Sequence, residues 1–166
     1  HVSLSPASLA AVEGIERLVL PSPNGSTIAT ALAESGATVL GACLRNAPAV
    51  ARWLATRVAE GASVVVVPAG ERWADALMRP AVEDLWGAGA VLESLQVLGL
   101  EDLSPEARVA LAAWQAVSLP EDLHDCASGR ELVEAGFAAD VEIAAAHDVS
   151  EVVPLLQGES FSDAMR

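Results

Sequence analysis

The sequence predicts an α/β domain, a three-layer α/β/α arrangement around a mainly parallel sheet, and three observations carry that expectation. Apolar runs rich in β-branched residues recur about every twenty residues, at 17–20, 37–42 and 63–67. The stretches between them have helical period, which gives a βαβαβ order. The third run, Val64-Val65-Val66-Val67, has no polar alternation, the pattern of a central strand covered on both faces.

Each element follows in order. The first run breaks into Pro21-Ser22-Pro23-Asn24-Gly25-Ser26-Thr27, and an alanine-rich helix is expected over 25–34, closed by Gly36. The second run leads through Cys43-Leu44-Arg45-Asn46 into a helix over 46–60, with Val50, Trp53, Leu54 and Val58 at the three-four spacing of a buried face and Gly61 at its end. After the third run comes Pro68-Ala69-Gly70-Glu71-Arg72. A long helix is expected from Pro80 to Gly99, another from Ser104-Pro105-Glu106 with Val109, Leu111 and Trp114 on its apolar side, and a shorter one over 128–136. A helical or irregular 138–147, a short strand at 151–153 and a frayed polar tail from about 158 complete a single domain over 1–166.

Composition limits the function. The chain has 166 residues, 52% of them hydrophobic, enough to bury a core. Every one of its 9 basic residues is arginine, so Schiff-base and P-loop lysine chemistry are excluded. A formal charge of −14 argues against nucleic-acid and anionic-membrane partners, which need a basic surface. It leaves open an anionic small substrate held by a few arginines in a cleft. Cys43 and Cys126 read as free thiols, which suits a reducing cytoplasm. No apolar run has the length of a membrane span.

In an open parallel sheet, ligands sit beyond the carboxyl ends of the strands, which nominates the three loops after the apolar runs. In the first, Asn24, Gly25, Ser26 and Thr27 read as an anion cradle: small residues let backbone N–H groups converge, hydroxyls add donors, and the helix dipole favours a phosphate. The bland reading is a turn in which Ser22 or Asn24 caps the helix. In the second, Arg45 and Asn46 read as a phosphate clamp and helix cap, against a solvated arginine. In the third, Glu71 reads as an acid-base or metal carboxylate, against an exposed loop charge. Glu83 and Asp84, early in a helix, are candidate Mg²⁺ ligands or charges favoured by the helix dipole. His124-Asp125-Cys126 lacks the partners of a zinc site.

Ser5-Pro6, the Pro21 to Thr27 turn, Arg45-Asn46-Ala47, Pro68-Ala69-Gly70-Glu71, Glu83-Asp84 with Ala88-Gly89, and Gly136-Phe137 with Asp140 occur in an order that resembles the 2-phosphosulfolactate phosphatase family, in particular its actinobacterial branch. The resemblance implies an α/β/α fold, Mg²⁺ dependence and hydrolysis of a small anionic 2-hydroxy-acid phosphate such as 2-phosphosulfolactate, on the route to coenzyme M. It also implies an N-terminal portion that precedes this chain and completes the acidic side of the site. On that basis Asn24, Gly25, Ser26, Thr27 and Asn46 hold phosphate, Arg45 and Glu71 are catalytic, and Glu83 and Asp84 hold the metal. The expected partners are the phosphate ester and a second copy of the chain. The alternative is a non-catalytic anion-binding or oligomerising domain on the same fold.

Overall fold

In the computed structural model, which describes residues 4–20, 24–75 and 77–166, several helices begin where a side chain satisfies their free N–H groups. Ser5 precedes α1 (Pro6–Ala10) and its hydroxyl accepts from the Ser8 N–H at 3.2 Å; Ser104 does the same for α5 (Pro105–Gln115) through the Ala107 N–H at 3.2 Å. At α7 (Ala127–Glu134) the cap is the Cys126 sulfur, 3.4 Å from the Gly129 N–H. The remaining helices are α2 (Gly25–Glu34), α3 (Ala47–Ala59), α4 (Val82–Val97), α6 (Glu121–Asp125) and α8 (Ala138–Ala145). All but α1 and α6 lie where the apolar period or the turn residues place a helix. Gly36 and Gly61 take φ of +84° and +93° just past α2 and α3, the left-handed turn that stops a helix.

The core is built on α3 and α4. Ala47 and Ala51 of α3 meet Ala90, Val91 and Leu95 of α4, with Leu44 behind them and Trp114 of α5 against the other side. Small residues allow that close approach. A Cβ on Gly89 would come within 2.4 Å of the Ala110 carbonyl oxygen and of the Trp114 Cβ, so α4 and α5 pack at a distance only glycine permits. The opposite side of α3 presents Ala49 and Val50 to Val153 and Leu40. A third cluster, Leu123, Cys126, Val141 and Ala145, packs α6, α7 and α8 against Trp86 of α4.

The strands depart from expectation. Among the described residues there are two short antiparallel hairpins, β1 (Glu71–Arg72) with β2 (Met78–Arg79), and β3 (Pro154–Gln157) with β4 (Ser160–Asp163). The run at 37–42 joins the second of these: Leu40 bridges Leu155 antiparallel, and the Gly41 N–H donates to the Pro154 carbonyl at 2.8 Å. The runs at 17–20 and 63–67 lie outside regular strands. Val64 and Val66 are partly buried while Val65 and Val67 are exposed, so the third run is covered on one face and not on both. Mixed α/β composition therefore holds, whereas a parallel ladder among these runs does not appear. The expected strand at 151–153 begins three residues later. Its partner is the tail thought frayed, because Ser160–Asp163 pairs with it and the Asp163 carboxylate accepts from the Val153 N–H at 3.2 Å.

Candidate active site

Asn24 joins the start of α2 to the turn before β1. Its side chain does not cap the helix. Instead Nδ2 donates to the Gly70 carbonyl at 3.3 Å and to Glu71 Oε2 at 3.1 Å, while Oδ1 accepts from Arg72 Nε at 3.0 Å. Gly70 turns with φ +68°, which directs its N–H at the start of α4, where it donates to Asp84 Oδ2 at 2.7 Å. Three segments far apart in sequence thus meet through Asn24, Gly70, Glu71, Arg72 and Asp84. Gly25, Ser26 and Thr27 form the first turn of α2 directly beside Asn24, and its N–H groups carry the positive end of the helix dipole. Pro21, Ser22 and Pro23 lie outside the described residues.

Carboxylates crowd this junction. Burial, opposed by the Gly70 hydrogen bond and reinforced by the charges of Glu83 and Glu71, raises the Asp84 carboxyl above its ordinary range. Beside it opens a cleft of about 530 Å³ lined by Glu71, Arg72, Trp73, Arg79, Ser128 and Glu131. Sequence reasoning did not single out Arg79, Ser128 or Glu131. Their only early signal was that Arg79 directly precedes Pro80; pairing across β1–β2 puts Arg79 opposite Glu71, and packing brings α7 to the same cleft.

Arg45 and Asn46 are placed elsewhere. Arg45 Nη1 donates to the Ile143 carbonyl at 2.7 Å, near the last turn of α8, where a cation complements the helix dipole. Asn46 occupies the N-cap position of α3 without capping it through its side chain. It is buried, accepting from the Cys43 N–H at 2.8 Å and donating to the Gly41 and Val152 carbonyls at 3.3 and 3.0 Å. These bonds tie the second apolar run to the segment before β3, and they are not shared with the Asn24 group. Asp140 is buried as well, accepting from Ser5 Oγ at 2.7 Å and the Ala7 N–H at 2.8 Å, so it anchors α1 on α8.

Among the described residues no three His, Cys, Asp or Glu side chains converge as a metal cage. The donor set at 71, 83 and 84 is nevertheless all hard oxygen, and Mg²⁺ commonly takes one or two carboxylates and fills its remaining positions with phosphate oxygens and water. Asp84 and Glu83 supply donors of that kind, and the described residues form no closed cage.

The chain is a mixed α/β protein whose cleft gathers Arg72 and Arg79 with Glu71 and Glu131, and Asn24 joins the start of α2 to its rim. Comparison narrows the class: residues 1–159 match the 2-phosphosulpholactate phosphatase family, and the chain belongs to it. Relatives named probable 2-phosphosulfolactate phosphatase are 37% identical over 85% of the chain in Thermus thermophilus and 33% identical over 84% in Deinococcus radiodurans. A third so named, from Carboxydothermus hydrogenoformans, is 31% identical over 90% of the chain. The chain spans only 56 to 59% of the length of these three relatives. No helix among the described residues is long and apolar enough to cross a membrane.

Proposed function

We propose that this chain carries the phosphate-ester site of a 2-phosphosulfolactate phosphatase, acting on a small anionic 2-hydroxy-acid phosphate. One observation carries the reading: Asn24 binds both Glu71 and Arg72 while Gly70 binds Asp84, so an anion-favouring helix start, a guanidinium and two carboxylates share one junction. In this reading the first turn of α2, Gly25 to Thr27, receives the phosphate and Arg72 offsets charge that develops on its oxygens. Glu71, held by Asn24, orients the attacking water and takes its proton as the P–O bond to the 2-hydroxy acid breaks; the leaving alkoxide is protonated from solvent. Mg²⁺ held by Asp84 and Glu83 would neutralise phosphate charge and order the attack. Membership of the phosphatase family supports the reaction class.

Arg45 and Asn46 retain their proposed parts only indirectly, by fixing the segment between the second run and α3. The parallel sheet remains a proposal too. The runs at 17–20, 37–42 and 63–67 would be its strands when the exposed side chains of the first and third are covered, and a second copy of the chain is the proposed cover.

The test is phosphate release over a panel of esters with Mg²⁺ and with chelator. Release from 2-phosphosulfolactate or phospholactate should be at least tenfold faster with Mg²⁺, about 1.4 kcal/mol in barrier. Equal rates would remove the metal from the proposal, and no release from any ester would remove the phosphatase.

A further inference from the structure

Arg79 is the second residue of β2, a strand of two residues whose hairpin is largely exposed, yet its side chain is only 14% exposed. It is enclosed because it reaches α7. Nη1 lies 2.6 Å from Glu131 Oε1 and Nη2 lies 3.1 Å from Glu131 Oε2, a two-pronged grip on a planar carboxylate. Ser128 Oγ stands 3.4 Å from Nη2, and the Trp73 ring lies under the guanidinium with its centroid 5.5 Å away. These groups fix the plane of the fork, and all of them line the cleft of about 530 Å³ that also borders Glu71.

The pair is asymmetric. Glu131 is 62% exposed and can swing into water at little cost, as exposed ion pairs generally can. Arg79 cannot follow, because it is enclosed between Trp73 and α7 and needs an anion where it stands. A small ligand that brings its own acid group would replace one carboxylate by another or by a sulfonate, with the fork geometry unchanged. The register partner of Arg79 is Glu71, which places this fork next to the carboxylate assigned to the attacking water.

Resting on the proposed phosphatase reading, we propose that Arg79 binds the acid group of the substrate that is not the phosphate, sulfonate or carboxylate, and that Glu131 occupies its guanidinium fork until that group arrives. Specificity for an acid-bearing ester then resides in β2 and α7, while the phosphate is handled at α2.

Two measurements test it. In steady-state kinetics with 2-phosphosulfolactate and with glycerol 2-phosphate, which lacks the acid group, Arg79→Gln should raise KM for the first at least tenfold more than for the second. Glu131→Gln should lower KM for 2-phosphosulfolactate. Equal changes on both esters for Arg79→Gln, or a raised KM for Glu131→Gln, would make the pair a pin for the hairpin and overturn the proposal. In calorimetric titration with sulfolactate, which needs no turnover, Arg79→Gln should bind at least tenfold more weakly than the wild type. This separates the two readings: wild-type binding lost in Arg79→Gln but no hydrolysis would sink the phosphatase and keep Arg79, whereas hydrolysis with binding unchanged in Arg79→Gln would do the reverse. Arg79→Lys, which keeps the charge and loses the fork, carries the same expectations should Arg79→Gln not fold.

Discussion

Asp84 shows what the site asks of a single residue. Its carboxyl is held by the Gly70 N–H but is partly buried beside Glu83 and Glu71, and the net effect is a raised pKa. A carboxyl whose folded pKa lies above its unfolded one favours the folded state below the unfolded value and loses that benefit as pH rises through the folded value. Ionised Asp84 is therefore a cost at neutral pH. Asp84→Asn, whose side-chain oxygen can still accept from Gly70, should melt higher than the wild type at pH 7–8, by less than about 1 kcal/mol because the group is only partly shielded from solvent. The gain should shrink as pH falls through the raised folded value and vanish below the ordinary value of 3.8, where the carboxyl is protonated in the folded and unfolded states alike. Phosphatase activity should fall in the same variant. Thermal melts across pH check the first half; a variant that melts lower at pH 8 would mean that the carboxylate is a structural anchor. Asn46 is a contrasting residue. The sequence marked both as polar groups at helix starts, and only the structure shows that one meets the Gly70 turn beside Glu71 and the other is spent on three backbone groups.

Helices were the elements most legible from sequence, because an apolar face at three-four spacing and a glycine stop are local signals. Strands were not. Val64 to Val67 has the composition of a buried strand, but whether such a run enters a ladder depends on partners distant in the chain. The tail over 158–166 is the same case: Ser160–Asp163 is polar, and only its pairing with Pro154–Gln157 gives it a strand's place. The close contact of α4 and α5 also depends on tertiary context, since Gly89 in mid-helix would by propensity be unfavourable. Gly89→Ala should therefore destabilise, although alanine is the better helix former. A Cβ 2.4 Å from the Ala110 carbonyl oxygen and the Trp114 Cβ forces the helices apart, at a cost of about 1–3 kcal/mol. Denaturant unfolding measures it, and a neutral or stabilising result would show that the two helices can separate freely.

At the scale of the whole molecule, two of the apolar runs leave large side chains open to solvent. Val19 is 89% exposed and Val65 is 82% exposed, with Leu18, Leu20 and Val67 also exposed. Surface of that kind in a chain of net charge −14 points to an interface, because charge repulsion opposes loose aggregation while a matched apolar face can still dock. The chain should self-associate, and Val65→Glu should shift it toward monomer in sedimentation or light scattering while leaving the melting of the α3–α4 core nearly unchanged. A wild-type chain that stays monomeric at high concentration would remove the second copy from the proposal.

The sequence by itself determined most of the helices and the family. Those follow from local period, from glycine stops and from motifs in a fixed order. It also placed Asn24, Glu71 and Asp84 among the candidates. The tertiary structure alone decided which candidates meet. It joined Asn24 to Glu71 and Arg72, sent Arg45 to the end of α8, buried Asn46, and brought Arg79 and Glu131 from 52 residues apart to one cleft. Hydrogen bonds and ion pairs act over a few ångströms, so their partners are set by how helices and hairpins pack, and sequence spacing holds no measure of that distance.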